Sequence, residues 1–202
     1  IDNLATVYKD KKPDKYDEDF WAAKAAYSFP HHGKIDRGIF SVYLFNLVHL
    51  KKGEGIFQDT GVPHAYLEGQ NVEIMASSDN VLRGGLTNKH IDVKELLKHV
   101  KCEATHVRIL SGEELSRTER VYKTSAPDFQ LSVFELKGGD TTSFSPVTAE
   151  IILLAEGMAA LDNGSGVLKL EAGHPSAIVF SGKEVKLSST SGAIVFRASV
   201  PA

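Results

Sequence analysis

The chain has 202 residues, of which 42% are hydrophobic and 24% charged, with a formal net charge of −3. These values are ordinary for a globular protein of one large domain or two small ones. They argue against a general nucleic-acid or anionic-membrane surface, which needs a basic excess. No apolar run approaches the roughly 20 residues of a membrane helix, and no basic-then-apolar leader opens the chain. The single cysteine, Cys102, excludes a disulfide within the chain and fits a reducing, cytoplasmic compartment.

Taken in order, Asp2 to Asp19 is rich in Lys and Asp. Phe20, Trp21, Ala22 and Ala23 then follow, with Asp14 and Asp17 placed to cap a helix. This predicts a helix over about 15–27, stopped before Pro30, with Phe20, Trp21, Lys24 and Tyr27 on one face and Trp21 as a packing anchor. The run Ile39–Leu50 is apolar, and periodicity alone leaves helix and strand open. A short helical turn at its start and a strand at its end are the favoured combination. Lys51-Lys52-Gly53 reads as a turn, with strands near 55–58, 62–67 and 71–76.

In IDVKELLKHV, Asp92 reads as an N-cap and Glu95, three residues on, completes a capping-box pattern. The predicted helix covers 92–99, with Leu96, Leu97 and Val100 on its apolar face. From about 105 onward short alternating runs recur: HVRIL, FQLSVFEL, EIILLAEG, GVLKLEAG, SAIVF and GAIVFRASV. Turn clusters separate them, such as 137–140 and 162–166. This spacing predicts a β-sandwich or jelly roll, so the chain as a whole is expected to be mainly β with a short N-terminal helical segment.

The polar residues concentrate between Gly53 and Lys89. Gly53, Asp59, Gly61 and His64 stand at the spacing of the second metal-binding half of the cupin motif, with Asp59 where that motif carries Pro. A lone His is more often structural than a ligand. Tyr66 would share a strand face with His64, and Glu73, Asp79, Arg83 and Lys89 follow closely. Arg can hold a phosphate or carboxylate bidentately, Lys supplies a mobile charge, and Gly84-Gly85 lets backbone approach a ligand. From spacing alone, a surface turn with Asp79 capping and Arg83 salt-bridged serves equally well.

The block PHAYLEG followed by VEIMASSDNVLRGGLTNKHIDV resembles the type I mannose-6-phosphate isomerases of the cupin superfamily. The approach GIFSVYLFNLVHLKKGEGIF and the terminal VFRASV are also similar to family segments. Asn88 departs from the family, which has Pro there. The resemblance implies a cupin-type jelly roll and a zinc-dependent aldose–ketose isomerase. Such an enzyme interconverts mannose 6-phosphate and fructose 6-phosphate through an enediol. It implies His64 as a zinc ligand. Tyr66, Glu73, Asp79, Arg83 and Lys89 would line the site, with Arg83 as the main catalytic cation. Glu73 takes the acid/base task or supports it, Lys89 assists electrostatically, and Tyr66, Arg83 and Lys89 would contact the sugar phosphate.

The family's zinc is also held by a Gln-x-His pair and a Glu. No Gln-x-His occurs here, since Gln58, Gln70 and Gln130 are followed by other residues. His31-His32 reads as a loop pair, and His90, His99, His106 and His174 as structural or solvent-facing. The chain therefore resembles the C-terminal half of the enzyme, with an incomplete zinc site. The implied divisions are 1–34, the tail of a helical insertion; 35–104, the later catalytic cupin; and 105–202, a C-terminal cupin-like β domain. The expected partners are a small-molecule sugar phosphate and the missing N-terminal half. Exposed apolar faces would drive self-association or repacking. The alternative is a non-catalytic, cupin-like module that binds a sugar phosphate.

Overall fold

A computed structural model describes residues 6, 8–10, 14–31, 34–78 and 80–201. The chain divides into two compact units. One gathers Ile1–Lys52, Ile56–Gln70 and Ser78–Ile109; the other gathers Gly53–Gly55, Asn71–Ser77 and Leu110–Ala202.

In the first unit, helix α1 (Glu18–Ser28) starts at Asp17, whose side chain accepts from the Asp19 amide, and its C-cap is Phe29. The capping aspartate and the stop before Pro30 match the sequence reading. Trp21 is buried and donates its indole N–H to the Lys15 carbonyl at 2.8 Å. Phe20 packs on it edge-to-face at 4.9 Å. The buried face differs from the expected one: Ala22 and Ala23 are buried beside these rings, while Tyr27 is exposed. Helix–helix contact favours the small side chains. Strands β1 (Pro30–His31) and β2 (Lys34–Ile35) pair antiparallel, so His31 belongs to a ladder rather than a loop. His32 lies outside the described residues.

A 3₁₀ turn (Arg37–Phe40) leads into helix α2 (Ser41–Leu44). The helical start of the apolar run is thus present, but residues 45–50 form no strand. Strand β3 (Gly55–Ile56) is shorter than expected, and no strand forms over 62–67 or 71–76. Over 71–76 exposure still alternates residue by residue, with Val72, Ile74 and Ala76 half-buried. The period-2 pattern survives, but a strand also requires a hydrogen-bonded neighbour, and none pairs with it among the described residues. Helix α3 (Val93–His99) begins at Asp92, which accepts from the Glu95 amide at 3.0 Å. The Glu95 carboxylate turns outward to Lys98 (2.6 Å) and His99 (2.9 Å), so only one arm of the capping box forms as read. Leu97, expected on the apolar face, is exposed. Strand β4 (Ile109–Leu110) pairs with β3.

The second unit is a two-sheet antiparallel sandwich of the cupin type. The strands are β5 (Glu113–Glu114), β6 (Glu119–Tyr122), β7 (Gln130–Leu136), β8 (Thr141–Phe144), β9 (Glu150–Gly157), β10 (Ala159–Asp162), β11 (Val167–Leu170), β12 (Ser176–Val179), β13 (Val185–Ser188) and β14 (Ala193–Ser199). One sheet runs β12-β9-β14-β7-β6-β5 and the other β11-β10-β13-β8. Alternate residues face inward, so Phe134, Ile152, Leu154 and Val195 from the larger sheet meet Phe144, Leu161, Leu170 and Leu187 from the smaller. The long runs in the sequence are β7, β9 and β14. Strands β5, β6, β8, β10 and β13 were not expected.

Three charges lie inside this sandwich. Arg197 donates to both oxygens of Glu150, Nε at 2.6 Å and Nη2 at 2.9 Å, and reaches Glu119 at 3.3 Å. Its guanidinium stacks 4.7 Å over the Phe144 ring. Ser132 donates to Glu119 at 2.8 Å. Glu150 is 2% exposed and Glu119 7%. Burial alone would lower the Arg197 pKa, but the hydrogen bonds and charge of Glu150, then of Glu119, raise it above its ordinary value. Such a network is held by mutual satisfaction, and breaking one side leaves a buried charge unpaired. Glu150→Ala should cost about 3–5 kcal/mol. Replacing all three charges, Glu150→Leu and Glu119→Gln with Arg197→Met, should cost far less, because no buried charge is then left unpaired. Urea unfolding midpoints of the two variants check this, and equal losses contradict it.

Candidate active-site loops

The glycines in the His64 segment are required by backbone geometry. Gly53 and Gly61 have φ of +83° and +80°, where L side chains are strained. A methyl on Gly61 would also lie 2.6 Å from the His99 carbonyl oxygen. Asp59 does the turn-forming work of the absent Pro. Its carboxylate accepts from the Thr60 amide at 2.8 Å and from Lys101 at 2.7 Å, and its carbonyl accepts from the Val62 amide at 3.2 Å. The Lys101 hydrogen bond, then the Thr60 amide, holds the Asp59 carboxyl below its usual pKa.

His64 and Tyr66 are brought together, with ring centroids 6.0 Å apart at 68°. His64 Nδ1 lies 3.1 Å from the Val62 carbonyl oxygen. A carbonyl can only accept, so this bond places the ring proton on Nδ1 and leaves Nε2 free as a donor atom for a metal. Metal-bound histidines are oriented by the same kind of backbone bond. His64 therefore fits as one zinc ligand. Among the described residues, however, no group of three or more His, Cys, Asp or Glu could hold a metal ion. His90, His99, His106 and His174 are all exposed, in keeping with the sequence reading.

Arg83 is half-buried and Lys89 is exposed, both on an irregular stretch of the first unit. The Lys89 amide donates to Thr87 Oγ1 at 3.2 Å. Glu73 is exposed and groups with the second unit. Asp79 lies outside the described residues. Among these candidates, the structure packs His64 beside Tyr66. One residue beside the Arg83 loop was missed in the sequence. Asp36 accepts from the Leu86 amide at 3.0 Å and from the Gly38 amide at 2.7 Å. The signal for the second bond was present, since Asp stands three residues before the buried Ile39, an N-cap pattern. Nothing local signalled the first.

These features define a cupin-type β protein carrying a polar loop system that includes His64 and Arg83. No family model matches the chain. It is 41% identical over 144 residues to mannose-6-phosphate isomerase of Escherichia coli strain K12, a match covering 71% of this chain and 37% of that protein. It is 35% identical over 173 residues to the mannose-6-phosphate isomerase of Cryptococcus neoformans, covering 83% and 40%. The Salmonella typhimurium mannose 6-phosphate isomerase in its apo form superposes with a TM-score of 0.75 at 30% identity, over 98% of this chain and 49% of that one. The same holds for that enzyme bound to its substrate and a zinc atom, with the same score, identity and coverage. The chain is thus a homologue of the mannose-6-phosphate isomerases, matching the C-terminal part of them. It spans about two fifths of the length of the curated relatives and about half of the solved structures.

A single imidazole cannot close a tetrahedral zinc site. After dialysis the 202-residue chain should therefore retain no stoichiometric zinc by elemental analysis. One tightly held zinc per chain, lost on His64→Ala, would contradict this.

Proposed function

We propose that this chain is the C-terminal part of a zinc-dependent aldose–ketose isomerase that interconverts mannose 6-phosphate and fructose 6-phosphate. The observation that carries the reading is the likeness, over 98% of this chain, to an isomerase solved with its substrate and zinc. The described residues support it with one histidine whose Nε2 is free for a metal and with a cationic loop nearby in sequence. In the complete enzyme His64 would be one of the zinc ligands, and zinc would supply a Lewis acid at the sugar oxygens. The remaining ligands would come from the N-terminal half, which is also the proposed protein partner.

The reaction moves a proton between C1 and C2 of the sugar. A base takes the proton from the carbon beside the carbonyl, the enediol forms, and the proton is returned to the neighbouring carbon. Glu73 is assigned the acid/base task or the support of it. Arg83 stabilises the enediolate charge, and Lys89 and Asp79 complete the charged surroundings. Tyr66, Arg83 and Lys89 contact the sugar phosphate. The division into 1–34, 35–104 and 105–202 accompanies this reading, as does self-association of the isolated half. The one cysteine, which is exposed, supports a cytoplasmic setting.

A second reading is favoured for the chain by itself. Without a metal cluster among its described residues, it would act as a non-catalytic cupin-like module that binds sugar phosphate. One assay series separates the two. The full-length protein should convert mannose 6-phosphate in a zinc-dependent manner. Arg83→Ala should lower kcat by about 100-fold or more, and near-normal turnover excludes that role. The 22.0 kDa chain alone should show no conversion with added zinc. Metal-dependent turnover by it refutes the half-site reading.

A further inference from the structure

Two segments of the first unit, about fifty residues apart in sequence, meet at the Asp36 carboxylate. Oδ1 caps the 3₁₀ turn through the Gly38 amide at 2.7 Å, and Oδ2 accepts the Leu86 amide at 3.0 Å. The backbones themselves touch here. A methyl on Gly85 would lie 2.9 Å from Gly38 Cα, and one on Gly38 would lie 3.0 Å from Gly85 Cα. Leu86 has φ of +48°, the only positive φ of a non-glycine among the described residues, and Gly85 has +147°. A leucine in that conformation is strained and persists only where its surroundings over-determine it. Such strain clusters at sites where chain geometry serves function.

The strained residue sits midway between Arg83 and Lys89, three residues from each. Asp36 is half-buried, and bonds from backbone amides to a carboxylate are roughly twice as strong as neutral ones. We propose that Asp36 is the positioning residue for the Arg83–Lys89 loop, fixing through the Leu86 amide where these two cations stand. Asp36 touches no reacting atom in this assignment; it acts through Arg83. The assignment rests on the isomerase reading for its kinetic consequence, but the anchoring itself does not. A displacement of about 1 Å in a positioned group can cost about 100-fold in rate.

The test is Asp36→Ser in the full-length protein. A serine hydroxyl is a good N-cap and keeps the Gly38 bond, while its single short oxygen cannot also serve the Leu86 amide. Asp36→Asn is the second variant, for use if the serine fails to fold. The first readout is amide hydrogen exchange, which is independent of activity. Exchange should rise across residues 83–89 and stay unchanged in α1 and α3. The second is kinetic, with kcat expected to fall about 30- to 100-fold, KM within about threefold, and zinc content unchanged. The third is coupling: Asp36→Ser combined with Arg83→Ala should be no slower than Arg83→Ala alone. Unchanged exchange at 83–89 overturns the anchoring. Turnover within twofold of the parent, or an additive loss in the double variant, overturns the positioning role. If Arg83→Ala itself turns over normally while the exchange result holds, the isomerase assignment fails and the anchoring stands.

Discussion

Two backbones touch where Gly38 meets Gly85, and the proposed anchoring of the Arg83 loop depends on that contact. Neither position has room for a Cβ. Once the chains are that close, the Leu86 amide needs an acceptor, and the Asp36 carboxylate supplies one while capping the 3₁₀ turn. The positive φ at Leu86 is the remaining cost of the arrangement. A loop with no regular ladder or helix of its own is thereby given a defined course. That is the condition under which a guanidinium and an ammonium on one loop can hold a fixed geometry.

The sandwich solves a different problem. Its apolar core borders a polar cluster where Arg197, Glu150, Glu119 and Ser132 meet, and each polar group there finds a partner. The planar guanidinium suits the site because it can bind one carboxylate with two parallel bonds, reach a second, and stack on Phe144. A lysine could not do all three. The network joins side chains of β6, β7, β9 and β14, so it reads the register of four neighbouring strands at once. A shift of one residue in any of them would turn its member to the opposite face.

What the sequence disclosed depended on how local the signal was. Asp17 and Asp92 each cap a helix as read, because a cap acts within three residues, although the first helix starts at Glu18, later than the expected 15. The long runs of β7, β9 and β14 announced themselves by β-branched and aromatic alternation. Strands β8 (TTSF) and β13 (VKLS) were hidden, since four residues with polar members carry too little period-2 signal. The opposite error arose at 62–67 and 71–76, where suitable residues stand without a ladder partner among the described residues. In the candidate site, the glycine spacing before His64 was legible; His64 and Tyr66 do lie close, but on an irregular segment rather than on the expected strand face. The Asp36–Leu86 bond was not legible, because it joins residues 50 apart in sequence and no local pattern encodes it. Arg197 was similarly opaque: the VFRASV run showed its place in the chain but not that its charge is buried.

One imidazole and one guanidinium are proposed to serve a common site. His64 presents Nε2 because the Val62 carbonyl holds Nδ1, and Arg83 stands on the loop tied to Asp36. The most direct test is a crystal structure of the full-length protein with zinc and fructose 6-phosphate. The expected result is His64 Nε2 about 2.0–2.1 Å from the metal, with the Arg83 guanidinium in hydrogen-bonding distance of the sugar phosphate. Zinc held without His64, or Arg83 turned away from the bound sugar, would contradict the account.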